Sequence, residues 1–379
     1  MFIQALRQHS DIRYMARLTR SGLGLAVAVV VLSSGCVRPV ITSGSSAQGW
    51  VSRAGSQLVL NGRPWQFTGL NIYNANSRDN CSYTMEAPEL GEALDASRAG
   101  AMRAWFFQSL ATTAGQRDWS KFDATLDAAR ARNVHVVVTL ADQWGACEPG
   151  EYKDASWYAD RYRTEKPSGL PATYREWVAE IVTRYRNDPT ILAWQLVNEP
   201  EVMVERYGQC AENASGILRS FVSDVGGLIK SIDSQHLVSV GAIGGGQCGA
   251  VYTEYSDLHS LDVVDLCEYH DYGQPRSAIA GDQWNGLGMR LFQCALLGKP
   301  LIVGELGIRP LQDLGGAATL AHRAVVVGAK LQATRAAGVA GTMVWNWNSG
   351  AQGGSATDNF EVGPGDPVLP ILAGQSGRP

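Results

Sequence analysis

The sequence is poor in the residues from which metal and nucleic-acid sites are built. It has 6 histidines and no pair of cysteines in a CxxC arrangement, which argues against a zinc site. Lys and Arg number 32 against 36 Asp and Glu, with no basic runs, so nucleic acid is a poor candidate partner. The Gly-rich string 244–246 is not followed by Lys-Ser/Thr, as a phosphate-binding loop would require. We therefore expect no metal, no organic cofactor and no nucleic-acid partner.

Long apolar runs are also missing. The stretch Leu23–Leu32 is too short to span a bilayer but suits the hydrophobic region of a secretory signal. Small residues then lead to Cys36, as in bacterial lipoprotein signals, where this cysteine is lipidated and becomes the mature N-terminus. Ser33 stands where such signals usually have Leu. We predict that residues 1–35 are a signal peptide, and that the exported protein is extracellular or lipid-anchored at a bacterial cell surface.

Translation starts at Met1 or at Met15, and a start at Met15 would shorten a long signal.

Composition divides the rest of the chain into three parts. Residues 36–49 are rich in Ser and Gly and are predicted to form a flexible tether. Residues 50–350 form one folded domain, and residues 351–379, rich in Gly, Pro and Ser, form an extension over its rim with a disordered end.

Apart from Cys36, the chain has an even number of cysteines, which in an exported protein favours disulfides. They are Cys81, Cys147, Cys210, Cys248, Cys267 and Cys294. Six cysteines allow about 15 pairings, and spacing alone does not choose among them. We expect Cys81–Cys147 and Cys210–Cys248 first, because each bond would join neighbouring loops.

Apolar strand patterns alternate with amphipathic helix patterns through the folded domain. Strands are predicted at 66–72, 101–107, 134–140, 191–197, 237–243, 263–269, 300–304 and 341–346. Helices are predicted at 89–99, 119–132, 173–187, 214–232, 283–298 and 316–337, and the connection 244–262 is predicted to be mostly irregular. A short hairpin with a turn at Asn61-Gly62 precedes the first strand. Eight strands alternating with helices predict a (β/α)8 TIM barrel rather than a doubly wound open sheet.

Two glutamates end buried strands of this barrel. Glu199 follows the fourth strand in Trp-Gln-Leu-Val-Asn-Glu-Pro, and Glu305 ends the seventh in Leu-Ile-Val-Gly-Glu-Leu-Gly. A buried carboxylate is costly unless it is paired or used. The carboxyl ends of the strands form the active-site face of such barrels, so the two glutamates should act together on one substrate.

Further polar and aromatic residues should reach the same face. They are Arg103, Trp144, Asn198, His270, Tyr272, Trp345 and Trp347. Aromatic faces pack against the C–H surfaces of sugar rings while polar groups bind hydroxyls, so this set indicates a carbohydrate site. Trp144 and Trp347 could equally be packing residues, and Glu268, within the predicted sixth strand, is expected to form a salt bridge or face solvent.

The motifs resemble glycoside hydrolase family 5: Asn-Glu-Pro after strand 4, His-x-Tyr after strand 6, Gly-Glu at strand 7 and Trp on strand 8. The first strand and the loop Asp142–Gly145 look most like the β-mannanases of that family. Gln195 stands where similar sequences often have Glu. The resemblance implies that Glu199 is the acid/base and Glu305 the nucleophile of a retaining hydrolase, with the carboxyls about 5–5.5 Å apart.

The resemblance also implies roles for the surrounding residues. Arg103 would keep Glu305 ionised, and Asn198 would bind the sugar 2-hydroxyl. His270 would hydrogen-bond near Glu199, and Tyr272 would orient Glu305. Trp345 would form the floor of the subsite where cleavage occurs. Burial and the charge of Glu305 should raise the pKa of Glu199.

We therefore predict an exported endo-acting hydrolase of β-1,4-linked polysaccharide, with mannan or glucomannan favoured over β-glucan. An exo-acting β-glycosidase is an alternative, since the insert 145–172 is long enough to close one end of a cleft. A non-catalytic carbohydrate-binding envelope protein is a further alternative, because a fold does not secure a function. The expected partner is a polysaccharide or oligosaccharide, any membrane contact is through a lipid anchor, and the protein is expected to be a monomer.

Overall fold

The computed structural model describes residues 48–77, 81, 84–149, 152–272, 274–351 and 359–377. The predicted signal peptide, Cys36 and nearly all of the predicted tether lie outside the described residues. Within the described part of the chain, no helix combines the length and apolar character needed to cross a membrane.

Eight parallel strands form the centre of the fold, as predicted. They are β1 Phe67–Asn71, β2 Ala101–Trp105, β3 His135–Thr139, β4 Ile191–Gln195, β5 Leu237–Ser239, β6 Cys267–Tyr272, β7 Leu301–Gly307 and β8 Gly341–Val344. The pairing order is 5-4-3-2-1-8-7-6, and a parallel bridge between Ser239 and Leu266 joins β5 to β6. The sheet therefore closes into a barrel, which confirms the predicted (β/α)8 fold.

Helices follow the strands around the outside of this barrel. They are α1 Ala87–Ser97, α2 Ser120–Arg130, α3 Tyr174–Tyr185, α4 Ala214–Ile232, α5 Thr253–His259, α6 Leu287–Leu296, α7 Pro310–Leu314, α8 Leu320–Ala336 and α9 Val368–Gly374. The six predicted helices are present with ends shifted by a few residues. Helix α5 lies in the connection that was predicted to be mostly irregular. It forms there because Tyr255 and Leu258 are buried and anchor it against the barrel.

A small antiparallel sheet covers the amino-terminal end of the barrel. Its strands are Val51–Ala54, Gln57–Leu60 and Arg63–Trp65, one more than the predicted hairpin contains. Asn61 and Gly62 have φ values of 53° and 74°, the left-handed pair that a tight hairpin turn needs. Apolar residues of this sheet belong to one core cluster with residues from the barrel strands. The cover therefore seals the end opposite the predicted site.

Polar side chains fill the upper part of the barrel interior. Along β2, for example, Ala101 belongs to the lower apolar cluster, while Arg103 two residues later is a buried charge. The other buried polar groups at this level are Asn71, Thr139, Gln195, Ser239 and Glu268. Strand alternation thus produces an apolar lower layer and a hydrogen-bonded upper layer beneath the carboxyl ends.

The segment after β8 crosses from one end of the barrel to the other. Trp347 and Val362 form a parallel bridge, and Phe360 lies at the active-site face. Helix α9 then packs near β1, where the hydroxyl of Thr68 donates to the Leu372 carbonyl at 3.0 Å. This extension therefore touches the rim at Phe360 and ends at the opposite, amino-terminal side.

Three disulfides connect the loops. They join Cys81 to Cys147, Cys210 to Cys248, and Cys267 to Cys294. The first two are the predicted pairs, and the third ties β6 to α6. Such bonds form in oxidising compartments.

Candidate active site

Glu199 and Glu305 meet at the carboxyl ends of the strands. Glu305 lies within β7, whereas Glu199 follows β4, and its backbone N–H donates to the Gly241 carbonyl at 2.9 Å. The φ of Glu199 is 55°, which is uncommon for a residue other than glycine and is typical of functional positions. One oxygen of each carboxylate lies within 4.8 Å of the other. This separation matches retaining glycosidases, and an inverting pair would be about 6.5 Å or more apart.

Glu305 accepts hydrogen bonds from one charged and one neutral side chain. Arg103 donates through Nη1 to Oε1 at 2.7 Å, and the Tyr272 hydroxyl donates to Oε2. The Glu305 side chain is nearly buried, and this charged hydrogen bond favours its ionised form against the cost of burial. An ionised, oriented carboxylate is what a nucleophile requires.

Glu199 has a different pair of partners. Its Oε1 contacts His270 Nδ1 at 2.8 Å, and its Oε2 accepts from the indole N–H of Trp144 at 2.9 Å. The Glu199 side chain is 16% exposed, against 4% for Glu305, so Glu199 has more access to the cleft. A carboxyl that shares a proton with an imidazole and opens to the substrate suits general acid/base catalysis.

The protonation states differ from the prediction. Burial raises the pKa of Glu305 more than the charges of His270 and Arg103 lower it. Burial also raises the pKa of Glu199, but the His270 hydrogen bond and charge and the Trp144 N–H together lower it overall. The pKa of His270 is raised to about 10, because the Glu305 charge and the Glu199 hydrogen bond outweigh its burial. The expected raised pKa of Glu199 is therefore wrong in this arrangement.

The reason is the position of one proton. The prediction treated Glu199 as the only holder of the proton, whereas His270 lies within hydrogen-bond distance and also contacts Glu305 at 3.6 Å. The Glu199–His270 pair carries one proton in either form, on the carboxyl or on the imidazole, and its net charge is unchanged. Transfer along the 2.8 Å contact supplies the protonated acid.

Arg103 is the centre of the hydrogen-bond network under the cleft. It is fully buried and donates to Asn71 at 3.0 Å, to Gln195 at 2.9 Å and to the Asn198 side-chain oxygen. Asn198 in turn donates to Asp142 at 2.7 Å. These bonds fix Asn198 in one orientation while its side chain still lines the cleft.

The cleft itself is bounded largely by aromatic side chains. Its lining includes Trp105, Trp144, Tyr272, Trp345 and Phe360 together with the two glutamates, Asn198 and Asp142. Tyr73 stacks behind Trp345 with ring centroids 5.2 Å apart, and Tyr207 stacks on Trp144 at 5.5 Å. Flat apolar faces beside carboxylates are suited to sugar rings.

The structure brings most of the predicted site residues together, with some corrections. Trp347 is 1% exposed and belongs to the core, so it offers no face for stacking. Arg103 and His270 are both buried beneath the cleft, where they contact the carboxylates of Glu305 and Glu199 that their expected roles name. The Trp347 side chain turns inward because the backbone of Trp347 pairs with Asn71 and Val362.

Sequence reasoning missed three contributors. Trp105 and Phe360 line the cleft, and Glu268, expected to be a surface or ion-pairing residue, is fully buried under His270. Trp105 had a detectable signal, since it occupies the inward phase of β2 two residues after Arg103. Phe360 had none, because it reaches the cleft from an irregular segment.

Comparisons with known proteins agree with this geometry. A family model described as GH family 5 beta-mannosidase-like matches residues 115–275. Mannan endo-1,4-beta-mannosidase A of Emericella nidulans is 23% identical over 335 residues, covering 82% of this chain and 82% of that protein. Mannan endo-1,4-beta-mannosidase 8 of Oryza sativa subsp. japonica is 26% identical over 314 residues, covering 68% of this chain and 79% of its own length.

Solved structures share the barrel. The endo-1,4-beta-mannanase from Rhizomucor miehei superposes with a TM-score of 0.66 at 19% identity, covering 87% of this chain and 98% of its own. The glycoside hydrolase family 5 mannosidase from Rhizomucor miehei gives a TM-score of 0.61 at 15% identity, covering 88% and 98%. By its motifs, its paired glutamates and these relatives, the chain is similar to glycoside hydrolase family 5, whose members are retaining O-glycosidases.

Proposed function

We propose that the protein is an endo-acting hydrolase of β-1,4-linked mannan or glucomannan. The observation that carries the retaining chemistry is the pair Glu199 and Glu305, whose carboxylate oxygens approach within 4.8 Å and have different partners. The mannan preference rests on the relatives, whose names are those of mannan endo-1,4-beta-mannosidases.

Glu199 and Glu305 have distinct roles in each step of a double displacement. Glu305 attacks the anomeric carbon while Glu199 gives its proton to the glycosidic oxygen, so the C–O bond breaks and the leaving sugar departs as an alcohol. The charge of Glu305 disappears in the glycosyl-enzyme. Glu199, now a carboxylate, removes a proton from water, the oxygen attacks the anomeric carbon, and Glu305 is released as a carboxylate with retained anomeric configuration.

The aromatic surface beyond Glu199 favours action within a chain. Tyr207 is 75% exposed and stacks on Trp144, which itself contacts Glu199. An exposed aromatic face beside the acid/base can support sugar units on the leaving-group side, as cleavage within a chain requires. An exo-acting β-mannosidase is the second candidate, because the matching family model carries that description.

The experiment is a substrate panel of mannan, glucomannan, cellulose and laminarin, with products separated by length. An endo-mannanase releases oligosaccharides of mixed length from mannan or glucomannan at early times. Release of mannose alone would support the exo-acting alternative, and preference for cellulose the β-glucanase one. No cleavage of any substrate would contradict catalysis and favour the non-catalytic binding protein.

Two variants test the assignment of the glutamates. Glu305→Ala should lose at least about 10³-fold in kcat with every substrate. Glu199→Ala should lose similarly on mannan but retain glycosylation by a dinitrophenyl mannoside, whose leaving group needs no protonation. Added azide should then restore turnover of Glu199→Ala and give the β-glycosyl azide. Glu201→Gln is the matched control, because its carboxylate accepts from the Cys248 N–H and forms no hydrogen bond with Glu199 or Glu305 in the described part of the chain.

We also propose that the protein is exported and anchored through a lipid on Cys36, as a monomer. The three disulfides support an oxidising compartment. Mass spectrometry of the mature N-terminus tests the anchor: diacylated Cys36 supports it, and an unmodified N-terminus elsewhere contradicts it. Cys36→Ser should release the activity from the membrane fraction, and light scattering tests the monomer.

A further inference from the structure

A buried carboxylate lies directly beneath the acid/base machinery. Glu268 is fully buried, and Gln195 Nε2 donates to both of its oxygens at 2.7 Å. The Ser239 hydroxyl adds a third hydrogen bond at 2.6 Å. Gln195 is the residue that replaces the Glu often seen in this motif, so the interior charge stands on β6 instead of β4. Three hydrogen bonds from two neutral groups leave the negative charge of Glu268 intact, and this charge must be balanced by something nearby.

His270 is the group that this charge faces. Glu268 and His270 point to the same side of β6 because they are two residues apart. The Glu268 Oε1 lies 3.4 Å from His270 Nε2, and the opposite ring nitrogen, Nδ1, lies 2.8 Å from Glu199 Oε1. The imidazole therefore bridges two carboxylates, one in the barrel interior and one in the cleft.

The neighbouring strand leaves room for this arrangement. A Cβ added to Gly304, the residue before the nucleophile, would lie 1.9 Å from Glu268 Oε1 and 3.1 Å from His270 Nε2. Any larger residue at this position would push the carboxylate away from the imidazole. The glycine thus has a spatial requirement that is independent of its backbone conformation.

We propose that Glu268 is a positioning residue that accepts a hydrogen bond from His270 Nε2, directs Nδ1 at Glu199, and keeps in the Glu199–His270 pair the one proton used for acid catalysis. This inference rests on the proposed glycosidase function. The imidazole Nε2–H stays with Glu268 throughout, and the mobile proton lies between Nδ1 and the Glu199 carboxyl. It passes to the leaving oxygen in the first step and is replaced from water in the second.

The sign of the effect follows from the surrounding charges. His270 faces the carboxylates Glu199, Glu305 and Glu268, while the cation of Arg103 and the hydroxyls of Tyr272 and Tyr255 are the other titratable groups packed around them. A nearby negative charge favours retention of a proton. Removing the charge of Glu268 should therefore make the pair lose its proton at lower pH.

The test compares the pH dependence of kcat/KM on soluble galactomannan in the wild type and four variants. Glu268→Gln removes the charge and retains the size, so the alkaline limb should shift down by about one pH unit or more. Glu268→Asp keeps the charge and should shift less. Gly304→Ala should reproduce the shift by displacing Glu268.

The double variant Gln195→Glu/Glu268→Gln is the matched control. It keeps one carboxylate in the same hydrogen-bonded pair but moves it to β4, beside Arg103 Nε. If Glu268 served only to fill a buried network, this swap would restore the wild-type pH profile. We expect restored thermal stability and a persistent alkaline shift, and a wild-type profile in the swap would overturn the proposal.

Nitrogen-15 NMR of His270 gives a readout that needs no activity. The wild-type ring should show a protonated Nε2 across the neutral range, with a titration that moves to lower pH in Glu268→Gln. Unchanged His270 shifts and titration in that variant would refute the positioning role. An inactive wild type with the expected NMR titration would instead refute the proposed function alone.

Discussion

Replacing Arg103 by Lys keeps the positive charge of this side chain but removes the fixed geometry of its hydrogen bonds. The guanidinium is fully buried and donates at 2.7 Å to Glu305, 3.0 Å to Asn71 and 2.9 Å to Gln195, with a further bond to Asn198. A lysine retains the charge but has one nitrogen on a flexible stem, so it cannot reach acceptors on three strands at once.

The magnitude follows from the bonds that lysine leaves unmade. If two of the four bonds are lost, at about 1.5–3 kcal/mol each for bonds to a charged group, the free energy of unfolding falls by about 3–6 kcal/mol. Glu305 and Asn198 also lose their fixed positions. Misplacement of a reacting group by about 1 Å costs about 10²-fold, so kcat/KM should fall by about 10²–10⁴-fold.

The assay measures kcat/KM on galactomannan and urea unfolding for Arg103→Lys, Arg103→Met and Arg323→Lys. Arg323 is the control, because it is a buried arginine paired with Asp366 away from the cleft. It should lose stability with little change in kcat/KM. Arg103→Met should also move the acid limb of the pH profile upward, because the guanidinium charge lowers the pKa of Glu305. Activity of Arg103→Lys within threefold of wild type, or equal activity losses in the two Lys variants, would refute this reasoning.

Three further predictions concern single residues. Tyr272→Phe removes the hydroxyl that donates to Glu305 and should lower kcat about 10–100-fold in steady-state assays with little change in unfolding midpoint; a loss of midpoint alone would contradict an orienting role. Trp347→Ala should lower the free energy of unfolding in urea by about 3–5 kcal/mol without changing KM. Trp144→Ala should instead raise KM. The reverse pattern would indicate that Trp347, and not Trp144, lines the cleft. Burial lowers the pKa of His259 from 6.5 to about 4, so the unfolded chain binds more protons between those values and stability falls as pH drops from 6.5 to 4. His259→Gln should flatten this part of the stability curve by about 2–3 kcal/mol, and an unchanged slope would contradict it.

The barrel was predictable because its signals are local. Strands β1 to β8 each show an apolar run of the length that a buried parallel strand needs, and the helices between them show a 3.6-residue period. Element ends were less certain, since loop contacts decide them. Helix α5 was missed for this reason: its seven residues are too few for a clear period, and it is stabilised by packing of Tyr255 and Leu258.

The two glutamates and their main partners were also predictable, because strand ends in a closed barrel converge on one face. Their proton distribution was not. It depends on His270 lying 2.8 Å from one carboxylate and 3.6 Å from the other, distances that follow from barrel closure and from the positive φ of Glu199. Side-chain exposure at the rim was equally hidden: Trp347, a candidate for stacking on sugar, lies in the core, and Phe360, which had no sequence signal, lines the cleft.

By itself, the order of residues determined the eight-stranded alternation and the two carboxylates at the ends of the fourth and seventh strands, and it favoured two cysteine pairs without choosing among the possible pairings. Only the tertiary structure decided which buried groups share protons and which aromatic rings face the cleft. The physical reason is that periodicity places a residue on one side of a strand, whereas electrostatic coupling depends on ångström distances across the barrel. Glu268 is the clearest case: its sequence neighbours mark it as an ordinary strand residue, and its contacts place it under His270, which in turn contacts Glu199.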